Sequence, residues 1–144
     1  MKRLFCVLVV LATASAVYAQ SSLDDEALFV LFPPYSADLR AVNAEQAIDN
    51  LEVFTQVARI LLDNPQYRLL IDGHANPVLR TSREERDRLR PLSRQRAEAA
   101  ATFIADYFDI SRQRLIISVG GGRYPQSPGD ARLNRRVSFV FITP

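Results

Sequence analysis

Cysteine and histidine are nearly absent from this sequence of 144 residues, which contains only Cys6 and His74. A single cysteine cannot form a disulfide within the chain, and Cys6 lies too early in an apolar run to be a lipidation site. A single histidine excludes a paired-histidine metal site. Because no cysteine follows Cys6, the rest of the chain cannot form a Cys/His catalytic pair. Asp72 lies only two residues from His74 on an extended segment, and no nucleophile-elbow motif surrounds a serine. The sequence therefore predicts no catalytic residues, no metal and no cofactor, and His74 is expected to be a structural residue at a strand end.

Lysine occurs only as Lys2, and a long apolar run occurs only near the start of the chain. Lys2 and Arg3 precede an apolar run from Leu4 to Ala12, and Val17-Tyr18-Ala19 fits a signal-peptide cleavage site. The apolar stretch is shorter than the ~20 residues that a membrane-spanning helix needs. We therefore expect a signal peptide over residues 1–19 and export of the mature chain, which would contain no transmembrane segment. An uncleaved anchor is the alternative.

Arginine carries all of the positive charge beyond this expected signal peptide. The 18 basic residues include Lys2 and Arg3, and the remainder are arginines that equal the 16 acidic residues in number. With a net charge of zero, the mature chain lacks the positive surplus that phosphate binding needs, so we expect no nucleic-acid partner. Arginines concentrate from Arg80 to Arg96 and from Arg112 to Arg136, which favours a surface for an anionic ligand.

The first half of the remaining chain predicts a strand, a helix and a second strand. Leu28 to Phe32 is an apolar run of strand length. A helix is predicted from Ala44 to Asp63, with Asn43 as N-cap and Gln46 three residues later as in a capping box. Alternation predicts a second strand from Tyr67 to Asp72, ended by the next glycine, and the two strands should run parallel. The predicted buried stripe of the helix is Ala47, Leu51, Phe54, Ala58, Leu61 and Leu62.

A second helix is predicted to begin at Ser93. Before it, the segment from Pro77 to Pro91 is highly charged and is expected to be a solvated connection, with a short helix that Ser82 could cap. Because loops of this length are often functional, a lid over a ligand site is the alternative. The predicted buried stripe of the second helix is Ala97, Ala100, Ala101, Ile104, Tyr107 and Phe108.

Two further strands complete the predicted fold. Ser111 to Arg114 is expected to turn the chain into a strand from Leu115 to Val119. The glycines at positions 120–122 are predicted to form a flexible turn, because no Lys-Ser or Lys-Thr pair follows them as in a phosphate loop. Val137 to Ile142 is nearly all apolar, which favours a strand in a central or well-covered position.

Three short segments, in order, resemble the periplasmic OmpA-like domain. They are Gly73-His74-Ala75-Asn76, Leu92-Ser93-Arg94-Gln95-Arg96-Ala97 and Asn134-Arg135-Arg136-Val137. In that family the segments read approximately Gly-His-Thr-Asp, Leu-Ser-x-x-Arg-Ala and Asn-Arg-Arg-Val. The resemblance covers nearly the whole mature chain and implies an α+β fold. The expected architecture is a β-α-β-α-β-β two-layer sandwich over residues 27–144, with a mixed sheet, helices on one face and a flexible leader at residues 20–26.

The resemblance also implies a function, namely non-covalent binding of the peptide stem of peptidoglycan. In the family, the Asp of the first motif faces the ammonium of the stem's diamino acid, and the Arg of the second faces its carboxylate. By position these residues are Asn76 and Arg96 here. Secondary site residues expected from the motifs are Gly73, His74, Leu92, Asn134 and Arg135. Expected partners are peptidoglycan and outer-membrane or other envelope proteins, which the domain would tether to the cell wall.

This chain departs from the family pattern at its expected ammonium contact. Asn76 replaces the family's Asp and supplies no negative charge, which weakens that contact by ~1 to 2 kcal/mol. Three alternatives follow: a weakened wall binder, a binder of a wall with another diamino acid, or a scaffold domain that has lost the ligand. A structural alternative for Arg96 is a surface helix residue paired with Asp72 or another acid.

Overall fold

The computed structural model describes residues 28–75, 83–121 and 130–144. Four strands and two long helices follow one another in the order β-α-β-α-β-β. Short 3-10 turns at Leu39–Ala41 and Arg112–Arg114 precede α1 and β3. This order confirms the predicted α+β architecture. The elements are β1 (Phe29–Leu31), α1 (Ala44–Asp63), β2 (Arg68–His74), α2 (Arg83–Phe108), β3 (Leu115–Gly121) and β4 (Arg136–Ile142).

The strands form one mixed sheet in the order β1-β4-β2-β3. β4 is antiparallel to both β1 and β2, whereas β2 and β3 are parallel. β1 and β2 therefore point in the same direction, as predicted, but β4 lies between them. The central position expected for the last strand is confirmed, because β4 pairs on both sides.

Both helices cover the same face of the sheet. Every second residue of the central strands is fully enclosed, for example Leu69, Ile71 and Val137, whereas Val140 is 50% exposed on the other face. Phe54 of α1 joins the two layers, because its ring centroid lies 5.8 Å from that of Phe139 on β4 and 4.6 Å from that of Phe103 on α2. Burial of these apolar side chains is the main stabilisation of the fold. The core cluster consists of Val30, Phe32, Phe54, Val57, Leu61, Leu69, Ile71, Ala97, Ala100, Ala101, Ile104, Ile110, Leu115, Val137 and Phe139.

Helix α1 has the predicted bounds and N-cap but a different buried face. The Asn43 side chain accepts a hydrogen bond from the Gln46 backbone N–H at 2.8 Å. The Gln46 side chain does not complete a capping box, because it donates to Asn50 instead. Of the predicted stripe, Phe54, Ala58 and Leu61 are buried, but Ala47, Leu51 and Leu62 are exposed. Asn50 and Val57, which were not predicted, are buried instead.

Asn50 was missed because polar residues are not expected on a buried helical face. Its side-chain oxygen accepts from the Leu31 N–H at 3.0 Å, and its amide donates to the Leu31 carbonyl at 2.9 Å. Both backbone groups of Leu31 are thus paired by one side chain of α1. The sequence prediction was wrong here because hydrogen bonding, not apolarity, fixes the helix against β1.

Helix α2 is a single helix, so the predicted start at Ser93 is wrong. It begins at Arg83 and continues through Pro91. Proline lacks a backbone N–H and usually marks a helix boundary. The segment before Pro91 was therefore predicted to be a connection and not part of the helix. Residues 83–91 are part of this helix and do not form a separate lid. Residues 77–82 of the predicted lid lie outside the described residues. The predicted burial of Tyr107 is wrong, because this side chain is 65% exposed.

The C-terminus of α1 is held by Arg114, from the turn before β3. Its Nη2 donates to the carbonyls of Leu61 and Asn64, each at 2.8 Å, and its Nε donates to the Tyr67 carbonyl at 2.9 Å. The last carbonyls of a helix lack intrahelical partners and carry partial negative charge. Arg114 therefore satisfies them and joins α1, β2 and β3 at one end of the sheet.

Both strands that were expected to stop at a glycine continue through it. β2 runs past Gly73 to His74, and β3 runs through Gly120 and Gly121; Gly122 of the predicted turn lies outside the described residues. A Cβ at Gly73 would lie 2.0 Å from the Ser93 carbonyl oxygen. Gly73 is therefore required for the close packing of α2 on β2 and does not end the strand.

No helix among the described residues is both long and apolar enough to cross a membrane. α2 is the longest, and it is rich in charged residues over its first half.

Replacing Gly73 with alanine tests the close packing of α2 on β2. We expect Gly73→Ala to lower the free energy of unfolding by about 3 kcal/mol in urea denaturation, because the clash is with backbone that cannot move alone. Gly120→Ala is the matched control. Its Cβ would meet the His74 ring at 2.9 Å, and a ring can shift, so a smaller loss is expected. An equal or larger loss in Gly120→Ala would contradict this assignment.

Candidate functional site

Arg96 lies in the middle of α2 and is fully enclosed, with 0% of its surface exposed. Its guanidinium donates to three backbone carbonyls. Nε donates to Ser36 at 2.9 Å, Nη2 to Pro33 at 2.9 Å and Nη1 to His74 at 3.0 Å. Arg96 therefore joins the loop after β1, the end of β2 and α2 at one point.

The charge of Arg96 has no carboxylate partner among the described residues. Burial lowers the pKa of Arg96 to about 10, and the positive charge of Arg135 contributes to the same shift. The guanidinium thus stays charged at neutral pH. Its central carbon lies 5.6 Å from the centroid of the Phe32 ring. The surface pairing of Arg96 with Asp72 that the sequence left open is wrong, since Arg96 is buried and bonds only carbonyls.

The loop after β1 is shaped around this guanidinium. Pro33 and Ser36 supply two of the three carbonyls, and between them Tyr35 adopts φ 54°. A left-handed conformation at a residue with a bulky side chain costs of order 1 kcal/mol and persists only when its surroundings impose it. The Tyr35 side chain is 92% exposed. An aromatic ring therefore lies at the outer surface of the loop that encloses Arg96.

Arg135 is the second positive side chain at this place. It is half-buried, and its Nε donates to the Phe32 carbonyl over a long distance of 3.4 Å. The Arg135 carbonyl accepts from the Phe32 N–H at 2.7 Å, which joins the start of β4 to the end of β1. The structure therefore brings together two of the predicted site residues, Arg96 and Arg135.

The other predicted site residues have different positions. Asn134 is 2% exposed and Leu92 is half-buried on α2. Gly73 contacts α2 through the backbone of Ser93. Asn76, the expected ammonium contact, lies outside the described residues, although Ala75 before it is 1% exposed. The structure thus describes the carboxylate half of the expected site only.

His74 contributes its carbonyl to Arg96 and its ring to a separate cluster. Its Nε2 lies 3.0 Å from Asp72 Oδ2, so the predicted structural role of His74 at the strand end agrees with the geometry. Burial on its own raises the pKa of Asp72, but the hydrogen bond and charge of His74, with hydrogen bonds from Ser118 and the Gly120 backbone, hold it below its usual value. Burial lowers the pKa of Arg136, and the negative charge of Asp72 opposes that shift. The Arg136 Nε donates to Ser138 Oγ at 3.1 Å.

A mostly apolar groove adjoins the site and was not predicted from the sequence. It lies between the turn that follows Ser36 and the outer face of α2. Its apolar walls come from Leu39, Ala99, Phe103 and Tyr107, and charged groups line its edges. The exposure of Tyr107, which stacks on Phe103 at 5.1 Å, is explained by this position. No periodic pattern in the sequence marks the groove, because it forms between segments far apart in the chain.

Replacing Arg96 with lysine tests its structural role. A lysine keeps the charge but cannot reach three carbonyls in different directions as a planar guanidinium does. We expect Arg96→Lys to lower the free energy of unfolding by about 3 kcal/mol. Arg94→Lys, on the exposed face of the same helix, is the control and should change stability by less than about 0.5 kcal/mol. Equal effects of the two variants in urea denaturation would rule out the three-carbonyl role.

The Asp72 contacts predict a dependence of stability on pH. Because the pKa of Asp72 is lower in the folded state than in the unfolded state, its ionised form stabilises the fold above the unfolded-state value of 3.8. That contribution is lost as the pH falls through the folded-state pKa. Thermal melts from about pH 6 to about pH 2 should show a shallower acid decline in Asp72→Asn than in the parent. Asp106→Asn, on the exposed side of α2, should keep the parent's slope; a parallel decline in all three proteins would refute the contribution.

Comparison with known proteins places this architecture among solved structures, although no family model and no curated protein matches the sequence. The peptidoglycan-associated lipoprotein from Burkholderia pseudomallei matches with a TM-score of 0.63 at 21% identity, over 79% of this chain and 89% of that one. The OmpA-like domain of FopA1 from Francisella tularensis has a TM-score of 0.61 at 18% identity, over 80% and 71%. The periplasmic domain of Helicobacter pylori MotB has a TM-score of 0.54 at 21% identity, over 76% and 67%. This chain therefore has the fold of the OmpA-like domains.

Proposed function

We propose that this protein is a non-catalytic component of the bacterial cell envelope that binds the peptide stem of peptidoglycan. The observation that carries the proposal is the buried guanidinium of Arg96, which has three carbonyl partners and no described carboxylate. A buried charge without a counter-charge is costly, so its retention is explained if an anionic ligand completes the site. The fold shared with a peptidoglycan-associated lipoprotein supports the same ligand.

The stem of peptidoglycan offers the chemistry that this site lacks. Its peptide carries carboxylates, and arginine binds a carboxylate through charge-assisted hydrogen bonds. Two of the five N–H groups of Arg96 are not used by the three carbonyls. Since Arg96 has no exposed surface, a ligand reaches these groups only when the side chains over it move apart. Arg135 is the more accessible part of the same site.

The expected cellular role follows from the ligand and the leader sequence. A signal peptide over residues 1–19 would direct the mature protein to the periplasm, where peptidoglycan lies. Binding there would attach the protein, together with any outer-membrane or other envelope partner, to the cell wall. The pairing of the His74 ring with Asp72 supports a structural role for this histidine.

A second function is favoured by the complete enclosure of Arg96. Three carbonyl bonds give this residue a sufficient structural role, and a scaffold domain without wall binding would need no more. The apolar groove beside the site would then serve a protein partner. The two functions differ in whether the protein binds intact wall in the absence of other proteins.

Sedimentation with insoluble peptidoglycan tests wall binding. We expect the purified protein to sediment with wall from its own organism and to remain soluble with the same wall after an amidase has removed the peptide stems. Soluble stem peptides should compete for the protein, whereas stem-free glycan strands should not. If the protein stays soluble with intact wall, the wall-binding proposal is wrong and the scaffold function is the remaining candidate. If it sediments equally with stem-free wall, the glycan and not the stem is the ligand.

A further inference from the structure

Arg96 and Arg135 form a pair of positive charges that no described carboxylate neutralises. The charge of Arg135 adds to burial in lowering the pKa of Arg96. Both side chains also contact the same segment after β1, Arg135 at Phe32 and Arg96 at Pro33. Like charges this close repel one another, more strongly where water is excluded. An anion held between them would remove that repulsion.

Four other arginines lie beside an acidic side chain or a helix C-terminus, and the remaining arginines whose side chains the structure describes are exposed to solvent. Arg112 pairs with Glu98, and Arg40 pairs with Asp38. Arg136 faces Asp72. The Arg114 guanidinium lies at the negative end of the α1 dipole. Arg96 and Arg135 differ from these arginines, because they are buried or half-buried and no acidic side chain in residues 28–75, 83–121 or 130–144 is paired with them.

The two arginines differ in what they can still bind. Arg96 is fully enclosed and is held by three carbonyls. Arg135 is half-buried and makes only one hydrogen bond from its side chain within the described part of the chain, at a distance where such bonds are weak. A guanidinium has five N–H donors, so most of those of Arg135 have no acceptor among the described residues and could bind a ligand. Arg135 is thus the accessible cation and Arg96 the fixed charge behind it.

We propose that Arg135 contacts the carboxylate of the ligand, with Arg96 as a positioning residue, and that the site selects a carboxylate without a neighbouring ammonium over a zwitterion. This inference rests on the proposed function and specifies its ligand. A free ammonium next to the carboxylate would be repelled by two guanidiniums and would meet no described acid. A chain terminus of a peptide stem is a carboxylate of this kind, because its α-nitrogen is in an amide bond. The zwitterionic end of a diamino acid is the disfavoured ligand.

Three matched small molecules test this selectivity by NMR titration or calorimetry. N-acetyl-D-alanine has the carboxylate alone, D-alanine adds the ammonium, and N-acetyl-D-alaninamide lacks the carboxylate. We expect N-acetyl-D-alanine to bind about tenfold more tightly than D-alanine, and the amide not to bind detectably. Binding of N-acetyl-D-alanine should weaken as the salt concentration rises. Equal affinity for the first two molecules overturns the inference.

Arginine variants assign the contact to Arg135. Arg135→Gln should weaken binding of N-acetyl-D-alanine about tenfold, whereas Arg132→Gln, an exposed arginine on the same turn, should leave it unchanged. Equal effects of these two variants overturn the role of Arg135. Arg96→Met should reduce the preference for N-acetyl-D-alanine over D-alanine, and Arg96→Lys should retain it. If Arg96→Met does not fold, the preference in Arg96→Lys decides whether a positive charge at this position suffices, and its loss there overturns the role of Arg96.

The wall assay separates failure of this inference from failure of the proposed function. If the parent and Arg135→Gln both sediment with wall while N-acetyl-D-alanine binds neither, the function is retained and the inference is wrong. If N-acetyl-D-alanine binds through Arg135 but the protein does not sediment with wall, the inference is retained and the ligand comes from another source of peptide termini. Binding in both assays that is lost in Arg135→Gln supports both.

Discussion

The hydrogen bonds of Arg96 to three carbonyls are the interaction on which the site and much of the fold depend. They define the path of the loop after β1, including the left-handed conformation of Tyr35. They also hold the end of β2 against α2, where Gly73 allows the two backbones to touch. A side chain at Gly73 would separate β2 from α2 and move the His74 carbonyl away from the guanidinium. The close packing and the guanidinium therefore depend on one another.

The sequence predicted the order of elements well because the strongest local signals agree with the tertiary structure. Asn43 caps α1 as expected, and the apolar run of β4 reflects its pairing on both sides. Pro91 misled the prediction of α2, since the missing N–H is tolerated inside a helix that tertiary packing stabilises. The observed buried face of α1 differs from the predicted one, because Asn50 is buried through its hydrogen bonds to the backbone of Leu31. Apolar periodicity does not reveal such a contact.

The site was predicted only in part, because local motifs identify residues but not their tertiary contacts. The motif that contains Arg96 identified an important arginine, but not its enclosure or its three carbonyl partners, which come from a loop that has no motif. Arg135 was expected only as a secondary residue, and its proximity to Arg96 depends on how β4 begins beside β1. The apolar groove is formed by packing alone. Contacts between distant segments are what local patterns cannot encode.

The three carbonyls bound by Arg96 lie 60, 22 and 63 residues away from it in the chain. Contacts of such separation close large loops, and their entropic cost is recovered only when the segments between them are ordered. The guanidinium cannot gather its partners in a locally folded fragment, so these contacts should form late. The backbone amides packed against the site should accordingly exchange with solvent slowly. Ligand capture and cooperative folding would then share a single structural origin in this small domain.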